Sequence, residues 1–288
     1  MSRVRLNRFL RQCESPACSR TGRVWRAWLE LRHGSSLDGR WYCSPECLEQ
    51  ALVSAISQSL PTATRPPAKA HRVPLGLLLL SRGLVDNEQL QMALKAQRDS
   101  GSGRLGEWLR HMGAVSEEQV TQILGSQWSI PVFPLNQSQR FLECAHLVPF
   151  PLLEVAVMLP VHHISTSQHL YVAFIDRVNY SALYAVERML ACHTEPCLAS
   201  QSQVLEALNQ LRARPHPVEV LVDNVSDPGE MANSIMAHSA RLGSTEIKVS
   251  GFDGFIWARL FAQSQFTDLL FQAQKDQPQF IIPGELQA

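Results

Sequence analysis

Two stretches of this chain repeat one pattern, first at residues 74–97 and again at residues 104–127. Nine of the 24 aligned positions are identical, including a Leu-Gly pair at the second and third positions, a glycine at the tenth and a glutamine at the last. A pattern that recurs in register over this length indicates two copies of one structural unit. The fold of this part of the chain must therefore accommodate the unit twice.

Each copy has the periodicity of a helical hairpin. Leucines at the second and sixth positions share one helical face, and the glycine at the tenth suits the left-handed residue that ends a helix. A capping box then marks a second helix, formed by Asp86 with Gln89 in one copy and by Ser116 with Gln119 in the other. The two copies predict a four-helix unit over residues 73–130. Periodicity alone fits a bundle whose leucines serve only as core.

The complete pattern resembles the N-terminal domain of type II secretion and type IV pilus assembly ATPases, in the form that binds cyclic-di-GMP. The family motif begins with Arg-Leu-Gly, ends with Gln and occurs twice. Here the second copy begins with Arg104, whereas the first begins with Pro74. The second copy also departs from the motif at Arg110 and Ala114, where the family has aliphatic residues. The resemblance covers about residues 73–213.

The resemblance implies a ligand site across the repeat. Arg104 and Gln127 would hold one guanine of cyclic-di-GMP, and Gln97 would hold the other, with Arg72 replacing the missing arginine. Glycines would let the backbone approach the ligand, and leucines would line the base faces. The residues implied are Arg72, Leu75, Gly76, Leu79, Gly83, Leu94, Gln97, Arg104, Leu105, Gly106, Leu109, Gly113, Leu124 and Gln127.

The alternative is a ligand-free repeat that contacts only proteins, for example a component of a secretion or pilus system. Pro74 favours this alternative, because it removes one guanidinium contact worth about 1–3 kcal/mol on the scale of base readout in DNA. The retained glycines and the two terminal glutamines favour the ligand.

Four cysteines near the N-terminus have the spacing of a zinc site. Four residues separate Cys13 from Cys18, and three separate Cys43 from Cys47. Zn²⁺ binds four thiolates at tetrahedral corners. The second pair leads through Ser-Pro-Glu into a helical pattern, which resembles treble-clef zinc knuckles. We expect a structural zinc ion, because four cysteine ligands leave no open position for catalysis. His33 is an alternative ligand.

The rest of the chain alternates helical and strand-like patterns. An Asp-Gly pair at residues 253–254 indicates a hairpin. The last segment is either a remnant of the next ATPase domain or a separate module. We predict an α+β multidomain protein with a zinc knuckle at 1–58, a linker at 59–72, the four-helix repeat at 73–130, a small α/β subdomain at 131–213 and an α/β segment at 219–288.

Several function classes are disfavoured by the sequence. No Gly-x4-Gly-Lys-Ser/Thr motif occurs, so we expect neither a phosphate-binding loop nor an enzyme. Basic and acidic residues balance at 26 each, which argues against nucleic acid. Zinc-dependent nucleic-acid binding through Arg20, Arg23, Arg26 and Arg40 remains a third hypothesis. No apolar run suits a membrane span and no signal peptide is recognisable, so we expect a cytoplasmic protein. The chain is interpreted as a non-catalytic adaptor.

Overall fold

The structure is a computed structural model that describes residues 13–18, 34–60, 72–137, 139–214, 219–222, 225, 227–263 and 265–272. The chain divides into two compact units. Unit 1 combines residues 1–64 with residues 216–288, and unit 2 contains residues 65–215. The described residues form both helices and strands, which is compatible with the predicted α+β class.

The helices of the described residues are, in chain order, α1 (Pro45–Ser59), α2 (Leu75–Ser81), α3 (Asn87–Ser100), α4 (Leu105–His111), α5 (Glu117–Trp128), α6 (Phe141–Cys144), α7 (Phe150–Ala156), α8 (Tyr180–Leu190), α9 (Gln201–Arg212) and α10 (Pro228–Leu242). The strands are β1 (Ser35–Leu37), β2 (Arg40–Tyr42), β3 (Met158–Ile164), β4 (His169–Phe174), β5 (His193–Leu198), β6 (Glu219–Val222), β7 (Glu246–Phe252), β8 (Phe255–Ala262) and β9 (Gln265–Gln272). No helix in this part of the chain combines the length and apolarity needed to cross a membrane.

Unit 1 contains a mixed sheet whose described strands have the order β2-β1-β7-β8-β9-β6. Strand β1 runs parallel to β7, with Ser36 opposite Glu246 and Leu37 opposite Ile247. This pairing joins the cysteine-bearing N-terminal segment to the C-terminal segment. The sequence predicts separate domains for these two segments, because patterns along a chain do not reveal pairing between strands so distant in sequence.

One face of this sheet is covered by helices α1 and α10, which also contact each other. Leu48, Leu52 and Ile56 of α1 are buried at helical spacing in the same core as Ile235 of α10 and Ile256 of β8. Each aliphatic side chain buried in this way contributes about 1.5–3 kcal/mol. The N-terminal helix is therefore part of the C-terminal core.

The start of α1 and the β7–β8 hairpin follow the sequence prediction. Ser44 caps α1 by accepting a hydrogen bond at its Oγ from the Cys47 amide at 3.3 Å, and Pro45 occupies the first turn. Asp253 and Gly254 connect β7 to β8 with φ values of 45° and 79°, the positive pair that a tight hairpin needs.

Unit 2 begins with the four helices α2 to α5 and continues into a three-stranded sheet of order β3-β4-β5 in the described residues. The capping boxes predicted at Asp86 and Ser116 are both present and start α3 and α5. Strand β4 is antiparallel to β3 and parallel to β5. An isolated bridge between Val132 and Leu198 connects the residues after the repeat to this sheet.

Candidate ligand and metal sites

The two copies of the repeat exchange hydrogen bonds through their terminal glutamines. Gln97, the last residue of the first copy, donates from Nε2 to the carbonyl oxygen of Gly103, just before the second copy, at 2.9 Å. Gln127, the last residue of the second copy, donates from Nε2 to the carbonyl oxygen of Val73, just before the first copy, at 2.6 Å. Exchanging equivalent positions of the two copies, 97 with 127 and 103 with 73, converts one bond into the other. The copies are therefore related by an approximate two-fold exchange.

The first helices of the two copies, α2 and α4, meet at two glycines. A Cβ atom on Gly76 would lie 3.2 Å from Cδ2 of Leu105, and one on Gly106 would lie 3.6 Å from Cδ2 of Leu75. Each added atom would also come within 2.9 Å of a side chain from the second helix of its own copy. Glycine at both positions thus permits close helix packing and brings Leu75 and Leu105 to the junction between the copies.

Four residues that the sequence analysis assigned to the ligand serve the internal structure of the repeat. Leu79 and Leu109 are fully buried in its core, so they are not available to line a ligand. Gly83 and Gly113 have φ values of 65° and 70° at the ends of α2 and α4. A Cβ placed on either of these two glycines meets nothing within 4 Å, so the left-handed conformation rather than close approach favours glycine there.

The other residues assigned to the ligand are buried glycines or retain accessible surface. Gly76 and Gly106 are the buried glycines. Arg72 and Arg104 are exposed, and the half-buried side chains are Leu75, Leu94, Gln97, Leu105, Leu124 and Gln127. Apolar, amide and guanidinium groups from both copies thus reach the surface of the repeat. These are the groups that can contact base faces and base edges.

Arg72 is held beside the second glutamine bond by stacking. Its guanidinium carbon lies 3.3 Å from the centroid of the Trp128 ring. A guanidinium over an indole face is attracted by the ring quadrupole. Arg72 and Trp128 directly flank Val73 and Gln127, so the stacked pair lies next to the Gln127–Val73 bond. The repeat motif does not predict this contact.

Arg104 forms an ion pair with Asp176, which follows β4 in the α/β part of unit 2. The Arg104 side chain is 62% exposed and that of Asp176 is 22% exposed. An exposed pair of this kind contributes at most about 1 kcal/mol. The repeat pattern does not predict this partner, which connects the first residue of the second copy to the neighbouring sheet.

The four N-terminal cysteines converge in unit 1. Their sulfur atoms all lie within 4.8 Å of one another, and the Sγ atoms of Cys18 and Cys43 are 3.6 Å apart. A disulfide needs about 2.05 Å between sulfurs. Two thiolates on a tetrahedral zinc ion, with Zn–S bonds of about 2.3 Å, lie roughly 3.8 Å apart. The cluster therefore has the dimensions of a thiolate metal site rather than of a disulfide.

Three structural pieces supply these sulfurs. Cys13 and Cys18 flank a turn, Cys43 follows β2, and Cys47 lies in the first turn of α1. The Cys43 amide donates to Sγ of Cys13 at 3.5 Å, and the Glu14 amide donates to a β2 carbonyl at 3.0 Å. A shallow pocket opens onto three of the four cysteines, so the cluster can be reached from solvent.

The thiols of this cluster differ in acidity. Burial, together with the neighbouring thiols of Cys18 and Cys13, raises the pKa of Cys43 to about 12. Burial also acts to raise the pKa of Cys47, but hydrogen bonds with the Ser44 and Ser15 hydroxyl groups and with the Cys13 and Cys18 thiols together outweigh it and lower that pKa. A bound dication would stabilise every thiolate in the cluster.

His33 and the arginines at positions 20, 23 and 26 lie outside the described residues, whereas Arg40 is exposed on β2.

Comparison with known proteins gives relatives for about half of the chain. Type IV pilus assembly ATPase PilB of Myxococcus xanthus is 29% identical over 158 residues, which are 54% of this chain and 27% of that protein. PilB of Thermus thermophilus is 30% identical over 134 residues, which are 46% of this chain and 15% of that protein. About half of this chain is therefore similar to a part of the type IV pilus assembly ATPases.

Two solved structures are similar to about half of this chain. The structure of MshE with cdg is 28% identical, with a TM-score of 0.41, and covers 48% of this chain and 99% of that one. The N-terminal domain of XpsE is 17% identical, with a TM-score of 0.34, and covers 47% of this chain and 92% of that one. No family model matches the chain. The matched residues span less than a third of either pilus ATPase.

Proposed function

We propose that this protein is a non-catalytic cytoplasmic regulator related to secretion or pilus assembly ATPases, and that its repeat binds cyclic-di-GMP. The observation that carries the proposal is the exchange of the Gln97–Gly103 and Gln127–Val73 hydrogen bonds between the copies. It creates one local environment twice, on either side of an approximate two-fold axis. Cyclic-di-GMP also consists of two equal halves, each with one guanine and one phosphate, so each copy can receive one half.

The side chains at the surface of the repeat suit this ligand. The fork of Arg104 can donate to O6 and N7 of guanine or to a phosphate. Each terminal glutamine uses Nε2 for its backbone bond, and its Oε1 is an acceptor for the N–H groups of guanine. Leu75 and Leu105 add apolar surface at the junction of the copies. MshE was solved with cdg, an abbreviation of cyclic-di-GMP, but the proposal depends on the residues of this chain.

Calorimetric titration of cyclic-di-GMP into the full chain tests this function. We expect saturable binding at micromolar ligand and a roughly tenfold or greater loss of affinity in Arg104→Ala, because one guanidinium contact is worth about 1–3 kcal/mol. Arg82→Ala is the matched control. Arg82 is an exposed arginine that directly follows α2, at the end opposite Pro74. Absence of heat at high ligand concentration, or equal loss in both variants, would contradict the proposal.

A second candidate function is a protein contact made by the first copy alone. Val73 and Leu77 are each 55% exposed on α2 or just before it, whereas the equivalent positions in the second copy are Gly103 and Glu107. A ligand with two equal halves makes equivalent contacts with both copies, so it does not require an apolar surface that only one copy has. We expect Leu77→Glu to weaken binding of a purified secretion or pilus ATPase in surface plasmon resonance and to leave cyclic-di-GMP affinity unchanged.

We also propose that the four cysteines bind one structural zinc ion. All four ligands would be thiols, and their sulfur atoms lie within 4.8 Å of one another. Soft thiolate ligands favour zinc over harder cations. Elemental analysis of the purified chain should give one zinc per chain. Cys18→Ser should lower that content, whereas Cys192→Ser, which changes a buried cysteine of unit 2, should leave it unchanged.

A further inference from the structure

The cysteine module of unit 1, residues 13–18 and 34–60, has few backbone links to the C-terminal segment. Strand β1 offers only two residue pairs to β7. Two further amide bonds support this edge, from Ser36 to the Thr245 carbonyl at 2.9 Å and from Asp38 to the Ile247 carbonyl at 2.8 Å. Strands as short as β1 and β2 are not stable without additional packing. The backbone pairing is therefore too limited to hold the module in place by itself.

The same module nevertheless supplies a substantial part of the unit 1 core. Leu37, Tyr42, Leu48, Leu52 and Ile56 are buried together with residues from α10, β7, β8 and β9. If the module left its place, the sheet face formed by β7 and β8 would lose the cover that α1 provides. That face would then present aliphatic side chains to water. The free-energy cost of this exposure is about 25 cal/mol for each Å² of apolar surface.

Helix α1 is fixed near both of its ends. Its C-terminal end abuts β7, since a Cβ atom on Gly251 would lie 2.2 Å from the carbonyl oxygen of Ser59. Its N-terminal turn carries Cys47, and Cys43 directly precedes the capping residue Ser44. The cysteine cluster thus joins the turn of residues 13–18, the β1–β2 hairpin and α1 at a single point, opposite the end that rests on β7.

We infer that metal binding at the four cysteines controls whether the cysteine module stays docked on the C-terminal sheet. This inference depends on the proposed zinc site and adds a consequence for residues far from the sulfurs. Structural zinc sites contribute free energy directly to folding, and here that free energy acts on a module with limited backbone pairing. Loss of the metal releases the module and uncovers the apolar face of β7 and β8. The described residues of this core all belong to unit 1, so we expect unit 2 to stay unchanged.

Hydrogen exchange of the full chain, read by mass spectrometry, tests the inference. The zinc-loaded chain is compared with the same chain after treatment with a chelator and after zinc is added back, while released zinc is measured with a colorimetric indicator. We expect one zinc released per chain and exchange at least roughly tenfold faster in peptides from β7 and β8. Peptides from β3 and β4 serve as the internal control and should not change. Added zinc should restore slow exchange.

The outcomes separate this inference from the zinc site itself. Release of zinc with unchanged exchange in β7 and β8 would overturn the inference and leave the zinc site intact. If neither bound nor released zinc is found, the zinc site fails and the inference fails with it. Faster exchange in β3 and β4 as well would indicate general unfolding and would also overturn the inference. The reversible chelator experiment uses the natural chain and does not require that a cysteine variant fold.

Discussion

Arg259 and Asp268 form a bidentate ion pair across the neighbouring strands β8 and β9. Nε and Nη2 of Arg259 each donate to one carboxylate oxygen of Asp268 at 2.7 Å, and Nε1 of Trp257 donates to Oδ1 at 2.8 Å. The two charged side chains are only 3% and 5% exposed. Every carboxylate oxygen is thus satisfied by a donor in a region that excludes water, which such a pair requires for its stability.

Removal of one partner should therefore strongly destabilise unit 1. Asp268→Ala leaves the guanidinium of Arg259 buried without its counter-ion, and we expect a loss of about 3–5 kcal/mol. Glu154→Gln is the matched control, because its pair with Arg212 is 33% and 56% exposed and should cost less than about 1 kcal/mol. Urea titration monitored by hydrogen exchange measures both losses of stability. Peptides from β8 and β9 report on Asp268→Ala, and peptides from α7 report on Glu154→Gln. Equal effects would contradict this account.

The thiol of Cys197 should resist alkylation and make unit 2 sensitive to alkaline pH. Burial raises the pKa of Cys197 to about 12, and the thiolate is the reactive form. We expect iodoacetamide at pH 8 to modify it in urea but not in the folded chain. Since the unfolded chain ionises this thiol near its usual pKa of about 9, the corresponding stability is present below pH 9 and decreases as the pH rises towards 12. Cys197→Ala should show a smaller decrease across that range.

The elements that the sequence predicts correctly depend on contacts between near neighbours. The capping boxes at Asp86 and Ser116, the helix start at Pro45 and the hairpin at Asp253 involve residues at most three positions apart. Such contacts are encoded by residue type and local spacing. They were sufficient to place the four helices of the repeat and the hairpin between β7 and β8.

The features that the sequence does not predict all depend on distant pairing. The parallel β1–β7 contact unites two segments that the sequence analysis assigned to separate domains, and the ion pair between Arg104 and Asp176 connects the repeat to the sheet after β4. The repeat motif likewise does not distinguish a leucine that faces a ligand from one that faces the core. Leu79 and Leu109 were assigned to the ligand for this reason, although both are fully buried.

Restoring the first arginine of the motif should strengthen binding of cyclic-di-GMP. Pro74 precedes α2 at the position where the second copy has Arg104. In Pro74→Arg we expect affinity to rise roughly tenfold or more, because one guanidinium contact to guanine is worth about 1–3 kcal/mol. Pro74→Ala separates the new contact from the loss of the proline ring and should leave affinity near that of the natural chain. Calorimetry that finds equal affinities for the two variants would exclude a guanine contact at this position.

Neutralising Asp176 should also raise the affinity for cyclic-di-GMP, by freeing Arg104. The carboxylate of Asp176 pairs with the guanidinium that we propose as a ligand contact, so ligand and carboxylate compete for one group. Breaking an exposed ion pair costs at most about 1 kcal/mol, which limits the expected gain to roughly fivefold. Asp99→Asn, an exposed carboxylate on α3, is the matched control and should have no effect. Competition also predicts that Asp176→Asn gains nothing in the Arg104→Ala background. A loss of affinity in Asp176→Asn would instead mean that the carboxylate itself holds the ligand, through the N–H groups of guanine.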